Sequence, residues 1–185
     1  LLAVKEPPPA ARPDADAAGG EPAAAGSRLG WSAFPGRLRL LLFAVLLFTL
    51  GNSTDAFLLL RLKEAGISTA SIALLWSLHH VVRMAAAFWG GRWSDRAGHG
   101  RLILLGWTLY AAVYLAFGWV PSRDALIAVF LVYGVCFGLT EPAEKAWIAE
   151  LAPPGQRGRA FGAYHLAVGL GALPASLLFG LIWQA

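Results

Sequence analysis

The chain has 185 residues and a formal net charge of +4, and 57% of its residues are hydrophobic while 14% are charged. Soluble domains carry about 25% charged residues, so this composition excludes an ordinary water-soluble protein. The basic residues lie in short clusters between apolar runs, which argues against a nucleic-acid partner. The single cysteine, Cys136, provides neither a disulfide framework nor a cysteine-rich metal site.

The first 37 residues precede the apolar part of the chain. Residues 1–30 are rich in alanine, proline and glycine and cannot bury enough apolar surface to offset the entropy of ordering. We therefore predict that residues 1–37 are a disordered cytoplasmic linker, with no signal peptide. The chain starts at Leu1 and stops where its last apolar run ends, so we expect it to be a piece of a longer protein.

Apolar runs of about 20 residues, the length that crosses a bilayer, predict five membrane-spanning helices and an all-α bundle. Their predicted bounds are 38–60, 69–89, 102–119, 125–147 and 160–183. Arginine and lysine are concentrated before the first helix, after the second and after the fourth. The positive-inside rule therefore places the amino-terminal segment in the cytoplasm.

The first predicted helix contains a polar patch with Asn52 and Asp55. A central aspartate costs about 3 kcal/mol on insertion scales, which the surrounding leucine, phenylalanine and valine residues outweigh. Two interpretations of Asp55 remain open. It either hydrates an outer vestibule or, together with Asn52, binds substrate or a proton.

The second predicted helix carries His79, His80 and Arg83, with Arg83 one turn from either histidine. These groups are candidates for binding an anionic substrate or for proton coupling. The structural interpretation, in which Arg83 extends towards the cytoplasmic surface, is favoured because no carboxylate on this helix completes a relay. Adjacent histidines point about 100° apart on a helix, so we predict no metal site.

A dense group of glycines and charges, Gly90 to Arg101, separates the second and third predicted helices. Charges at this spacing do not lie in hydrocarbon, which predicts a sharp turn at the membrane surface. The pattern resembles a loop signature of the major facilitator superfamily through Gly91, Asp95, Arg96, Gly98 and Arg101. At His99 and Gly100 the chain departs from the arginine or lysine that is usual in that family.

This resemblance implies half of a facilitator, which is a bundle of six helices made of two inverted triplets. A second stretch, Glu150 to Gly162, is similar to the segment that leads into the penultimate family helix. The chain is then the carboxy-terminal half without its last helix, and its partners are the missing amino-terminal half, the lipid bilayer and a small-molecule substrate. The five signature residues are expected to govern a cytoplasmic gate.

The fourth predicted helix ends with Glu141, Glu144 and Lys145 as candidate ion-pair residues. Glu141 and Lys145 have the i,i+4 spacing of an intrahelical pair. By resemblance, Asp95 with Lys145 and Arg96 with Glu144 are possible latches between helices, and plain interfacial anchoring is the alternative. The GxxxG pair Gly134 and Gly138 predicts close helix packing, as does a stripe of small residues, Ala167, Gly171 and Ala175.

The function expected from the resemblance is alternating-access transport of a small solute across the plasma membrane, coupled to an ion gradient. No nucleotide-binding motif is present in the chain, and no cofactor is expected. One alternative is a facilitator-like sensor or scaffold that transports nothing. Another is a membrane-embedded enzyme with His79, His80 or His165 as base, although no nucleophile or metal set stands at a recognisable spacing.

Overall fold

A computed structural model describes residues 31–52 and 55–184, with side chains described as far as Ile182. Most of the predicted linker, residues 1–30, lies outside the described residues. Trp31–Ala33 form a short 3₁₀ helix, and the helical bundle begins at Phe34.

Six α-helices follow, and the described residues contain no strand. Their bounds are α1 Gly36–Leu50, α2 Asp55–Glu64, α3 Thr69–Ala97, α4 His99–Trp119, α5 Arg123–Leu151 and α6 Arg157–Gln184. Together α1 and α2 form one candidate membrane span, and each remaining helix is long and apolar enough to form another. These five spans confirm the all-α membrane bundle predicted from the sequence.

The first span is broken, whereas the sequence analysis predicted one continuous helix over 38–60. Helix α1 ends at Leu50, and the amides of Gly51 and Asn52 bond back to carbonyls of its last turn. The five residues from Gly51 to Asp55 are all poor helix formers, since glycine is flexible and the others compete for backbone hydrogen bonds. Helix α2 then starts at Asp55, whose negative charge is favourable at a helix amino terminus.

The predicted turn between the second and third spans is much shorter in the structure. Helix α3 continues to Ala97 and α4 begins at His99, so Gly98 alone joins them, with a φ of 91°. Four of the five predicted gate residues, Gly91, Asp95, Arg96 and Arg101, are therefore helical. A 29-residue helix is about 43 Å long, which exceeds the roughly 30 Å of hydrocarbon and leaves room for a charged helical end.

Helix α5 lies at the centre of the bundle and packs against both α3 and α4, while α1 packs mainly against α6. In an inverted repeat of three spans, the first span corresponds to the fourth and the second to the fifth. The contact of α3, the second span, with α5, the fourth, therefore corresponds to the contact of α6, the fifth, with α1 in the first, and both contacts are present. We call the two ends of the bundle the Gly98 end and the Gly66 end, after the glycines in their connections. One apolar core cluster contains Leu42, Leu102 and Ile148, and the other contains Leu62 and Phe130.

Glycines allow the central helices to touch at their backbones. A β-carbon at Gly138 on α5 would lie 2.6 Å from the carbonyl oxygen of Arg83 on α3. One at Gly134 would lie 2.9 Å from the carbonyl oxygen of His79. On α6, a β-carbon at Gly171 would meet Thr49 of α1 at 2.8 Å. The packing role predicted for the GxxxG pair is confirmed.

Candidate functional site

A cavity of ≈ 260 Å³ lies among α1, α3, α5 and α6. Its polar lining comes from every one of these helices and from the break in the first span, whereas the rest of its wall is apolar. The polar and aromatic lining residues are Phe48, Thr49, Asn52, Arg83, Phe137, Thr140, Glu141, Glu144, Tyr164 and Ser176. Because charged groups from α3 and α5 meet here between membrane-spanning helices, this cavity is the candidate functional site.

An ion-pair cluster forms one wall of the cavity. The guanidinium group of Arg83 donates to Oε2 of Glu141, and Lys145 Nζ donates to Oε1 of the same carboxylate at 2.7 Å. Arg83 also lies over the ring of Phe137, 5.1 Å from its centroid. The Glu141–Lys145 pair matches the one predicted from the i,i+4 spacing. The cross-helix partner of Glu141, which is 58 residues distant, left no signal in the sequence.

Arg83 stands halfway along α3, with about four turns of helix on each side. Its side chain is 32% exposed and contacts Glu141 on α5. The sequence analysis favoured an extension of Arg83 towards the cytoplasmic surface, and the structure shows the side chain paired with a carboxylate of α5. Its place in the middle of a span is accepted because a carboxylate on the neighbouring helix neutralises it.

The second carboxyl group, Glu144, is buried and has different partners. Trp107 Nε1 on α4 donates to its Oε1 at 3.2 Å, and the hydroxyl group of Tyr164 on α6 donates to its Oε2 at 2.9 Å. Glu144 was predicted as an ion-pair residue, but in the structure it bonds to two uncharged donors. It thereby links α5 to both α4 and α6.

The break in the first span is held by two tyrosines that the sequence analysis did not single out. Tyr110 on α4 donates to Oδ1 of Asn52 at 2.8 Å, and Tyr133 on α5 donates to Oδ1 of Asp55 at 2.6 Å. Both tyrosine rings are buried, so their hydroxyl groups need partners. The only sign of these contacts in the sequence is that each tyrosine places a hydroxyl group within an otherwise apolar span.

His79 and His80 do not line the cavity. The ring of His79 is buried and stacks on Trp76 at 5.6 Å, and its Nδ1 lies 3.2 Å from the carbonyl oxygen of Phe130. His80 is exposed, and its Nδ1 bonds to the carbonyl oxygen of Trp76 one turn earlier. The structure therefore separates these two candidates from Arg83, with which the sequence grouped them.

At the Gly98 end, the predicted latches are not formed. Lys145 bonds to Glu141, while Asp95 and Arg96 have exposed side chains. The contact between helices is made by His99, whose Nδ1 lies 2.6 Å from Ser94 Oγ and whose Nε2 lies 3.3 Å from Glu150 Oε2. Arg101 lies in the first turn of α4 and is also exposed.

Comparison with known proteins gives consistent matches. Residues 40–185 match the profile of the Major Facilitator Superfamily. An uncharacterized MFS-type transporter of Methanocaldococcus jannaschii is 30% identical over 163 residues, which are 85% of this chain and 41% of that protein. A Na(+), Li(+), K(+)/H(+) antiporter of Planococcus maritimus is 28% identical over 63% of this chain and 29% of its own length.

A puromycin resistance protein of Streptomyces alboniger is also similar to this chain. It is 29% identical over 66% of this chain and 24% of that protein. In each of these three cases the chain spans less than half of the relative's length.

Proposed function

Because the chain belongs to the major facilitator superfamily, we propose that it is one half of a secondary transporter that moves a small solute by alternating access. The polar cavity in the interior of the membrane-spanning helices carries this proposal. Polar groups in a span cost free energy and are typical of a substrate or ion path. The amino-terminal half of the same protein would supply the opposite wall of the binding site.

The proposed solute movement is coupled to an ion gradient, since the chain places three carboxyl groups inside its spans. Glu141 and Glu144 line the cavity, and Asp55 borders the break in the first span. Carboxyl groups that exchange partners between two conformations are suited to taking up and releasing an ion. The relative from Planococcus maritimus, named as a cation/proton antiporter, supports this choice.

Uptake into proteoliposomes tests the transport function. Full-length protein is reconstituted with a trapped pH-sensitive dye, and a panel of small amines, carboxylates and sugars is added under an imposed pH gradient. We expect one class of solute to produce saturable, gradient-dependent flux that Glu141→Gln reduces at least tenfold. Saturable binding without flux would favour a sensor or scaffold, and chemical conversion of the solute without uptake would favour an enzyme.

We also propose that the Gly98 end faces the cytoplasm, in the plasma membrane, because most basic residues of the spans' flanks lie there. Single cysteines at Arg96, Arg157 and Lys63, introduced into a Cys136→Ala background, test this orientation. A membrane-impermeant maleimide should label positions 96 and 157 only in inside-out vesicles and position 63 only in intact cells. Labelling of 96 and 157 from opposite sides would contradict the five-span topology.

A further inference from the structure

Two carboxyl groups line the cavity, and only one of them is neutralised by the protein. Each oxygen of Glu141 receives a hydrogen bond from a cation, one from Arg83 and one from Lys145. Glu144 receives hydrogen bonds from Trp107 and Tyr164, neither of which carries a charge. Across residues 31–52 and 55–182, no arginine or lysine comes within ion-pair distance of Glu144.

A positive charge close to Glu144 would therefore be favourable. The residue is only 7% exposed, and a buried carboxylate without a cation is costly even when neutral donors bond to it. Each carboxylate oxygen has two lone pairs, and the bonds from Trp107 and Tyr164 use one on each oxygen. The group keeps the capacity to accept a further donor from the cavity.

The charged residues that line the cavity themselves carry a net negative charge. The charged side chains in the wall are Arg83, Glu141 and Glu144, and the second basic group of the cluster, Lys145, pairs with Glu141 from outside the wall. Arg83 is engaged by Glu141 and by the ring of Phe137, so it leaves little positive charge for an anionic ligand. Lys145 is not among the residues that line the cavity.

Aromatic rings form the wall near this carboxyl group. Phe48 and Tyr164 both line the cavity, and Tyr164 bonds directly to Glu144. Phe48 stacks on Trp107, the other partner of Glu144, with ring centroids 4.6 Å apart and planes within 7°. Ring faces attract organic cations, and a desolvated contact is worth up to about 2 kcal/mol.

We propose that the cavity binds an organic cation whose positively charged nitrogen lies against Glu144 and the rings of Phe48 and Tyr164. This inference rests on the proposed transport function, since it names the class of solute carried. Hydrated metal ions fit the site less well, because they prefer several oxygen ligands and most of the surface that this wall exposes to the cavity is apolar.

Equilibrium dialysis of detergent-solubilised full-length protein tests the proposal with radiolabelled benzyltrimethylammonium as probe. We expect saturable binding that unlabelled benzyltrimethylammonium displaces and benzenesulfonate, an anion of similar size, does not. Glu144→Gln should weaken binding at least tenfold, and Phe48→Leu should weaken it about three- to tenfold. The glutamine retains an acceptor for Trp107 and places an amide donor towards Tyr164, so the fold is expected to persist.

Two matched variants serve as controls. Glu150→Gln removes an exposed carboxylate from the same helix, and Phe43→Leu removes an exposed ring from α1 that does not line the cavity. Neither is expected to change the affinity for benzyltrimethylammonium by more than about twofold, as expected for surface positions. Equal losses in control and test variants would overturn the proposal.

Three further outcomes distinguish this inference from the transport function. Gradient-driven flux of an anion or an uncharged solute that is unaffected by Glu144→Gln would overturn the cation site and leave transport intact. Probe binding that depends on Glu144, in a protein that moves no solute, would support the cation site and contradict transport. Absence of probe binding, in a protein whose transport depends on Glu144, would indicate that the carboxyl group takes a proton instead and would overturn the proposal.

Discussion

Gly138→Ala is expected to destabilise the bundle by about 2 kcal/mol, the middle of the range for an overpacked interior. The new methyl group would lie 2.5 Å from Cβ of Ala86 and 2.6 Å from the carbonyl oxygen of Arg83, both on α3. Neither atom belongs to a flexible side chain, so α3 and α5 must move apart. Denaturation of the purified protein in SDS–detergent mixtures measures the change in the free energy of unfolding.

The control is the same substitution at a glycine with space around it. A β-carbon at Gly162 on α6 would meet nothing within 4 Å. Alanine is a better helix former than glycine by about 1 kcal/mol, so Gly162→Ala should leave stability unchanged or raise it. If the two variants unfolded alike, the close backbone contact of α3 with α5 would be refuted.

Glu141→Gln is expected to cost about 3 kcal/mol, more than Arg83→Ala, which is expected to cost about 1 kcal/mol. Removal of the carboxylate leaves two cations, Arg83 and Lys145, without their shared partner in the middle of the bundle. Removal of Arg83 still leaves Glu141 neutralised by Lys145. The estimate lies at the low end for a broken buried pair because the Glu141 side chain is 35% exposed.

A double-mutant cycle measures the coupling between these two residues. The double variant should be more stable than the sum of the single losses predicts, by at least about 1 kcal/mol, because the residues are in direct contact. Glu150→Gln is the matched control, since it removes an exposed carboxylate from the same helix. Strict additivity, or a larger loss from Arg83→Ala than from Glu141→Gln, would show that the shared-partner arrangement is wrong.

The sequence predicted those features that depend on neighbouring residues or on span length. Five apolar runs indicated five spans, and the i,i+4 spacing indicated the pair of Glu141 with Lys145. The contact of Arg83 with Glu141 joins residues 58 positions apart, and the same holds for Asn52 with Tyr110. Such contacts depend on which helix faces which, and a periodic pattern in one helix does not determine this.

Two boundaries were predicted incorrectly because average hydropathy was used to place the ends of helices. The charged residues from Arg92 to Arg96 were predicted in a turn, yet they extend α3 beyond the hydrocarbon as a helix. Conversely, the apolar flanks of Gly51 obscured five consecutive poor helix formers, and the first span was predicted without a break. Local propensity explains the break at Gly51, whereas α3 stays helical through Gly90 and Gly91, where its backbone packs against α5.

The single residue between α3 and α4 has a mechanical consequence. A chain spans at most about 3.6 Å per residue, so Gly98 provides too little slack for α3 to slide one 5.4 Å helical turn past α4. A tilt of α3 would therefore move the adjoining end of α4 with it. During a conformational cycle these two helices would travel together, and larger relative displacements would fall to the longer connections at 65–68 and 152–156.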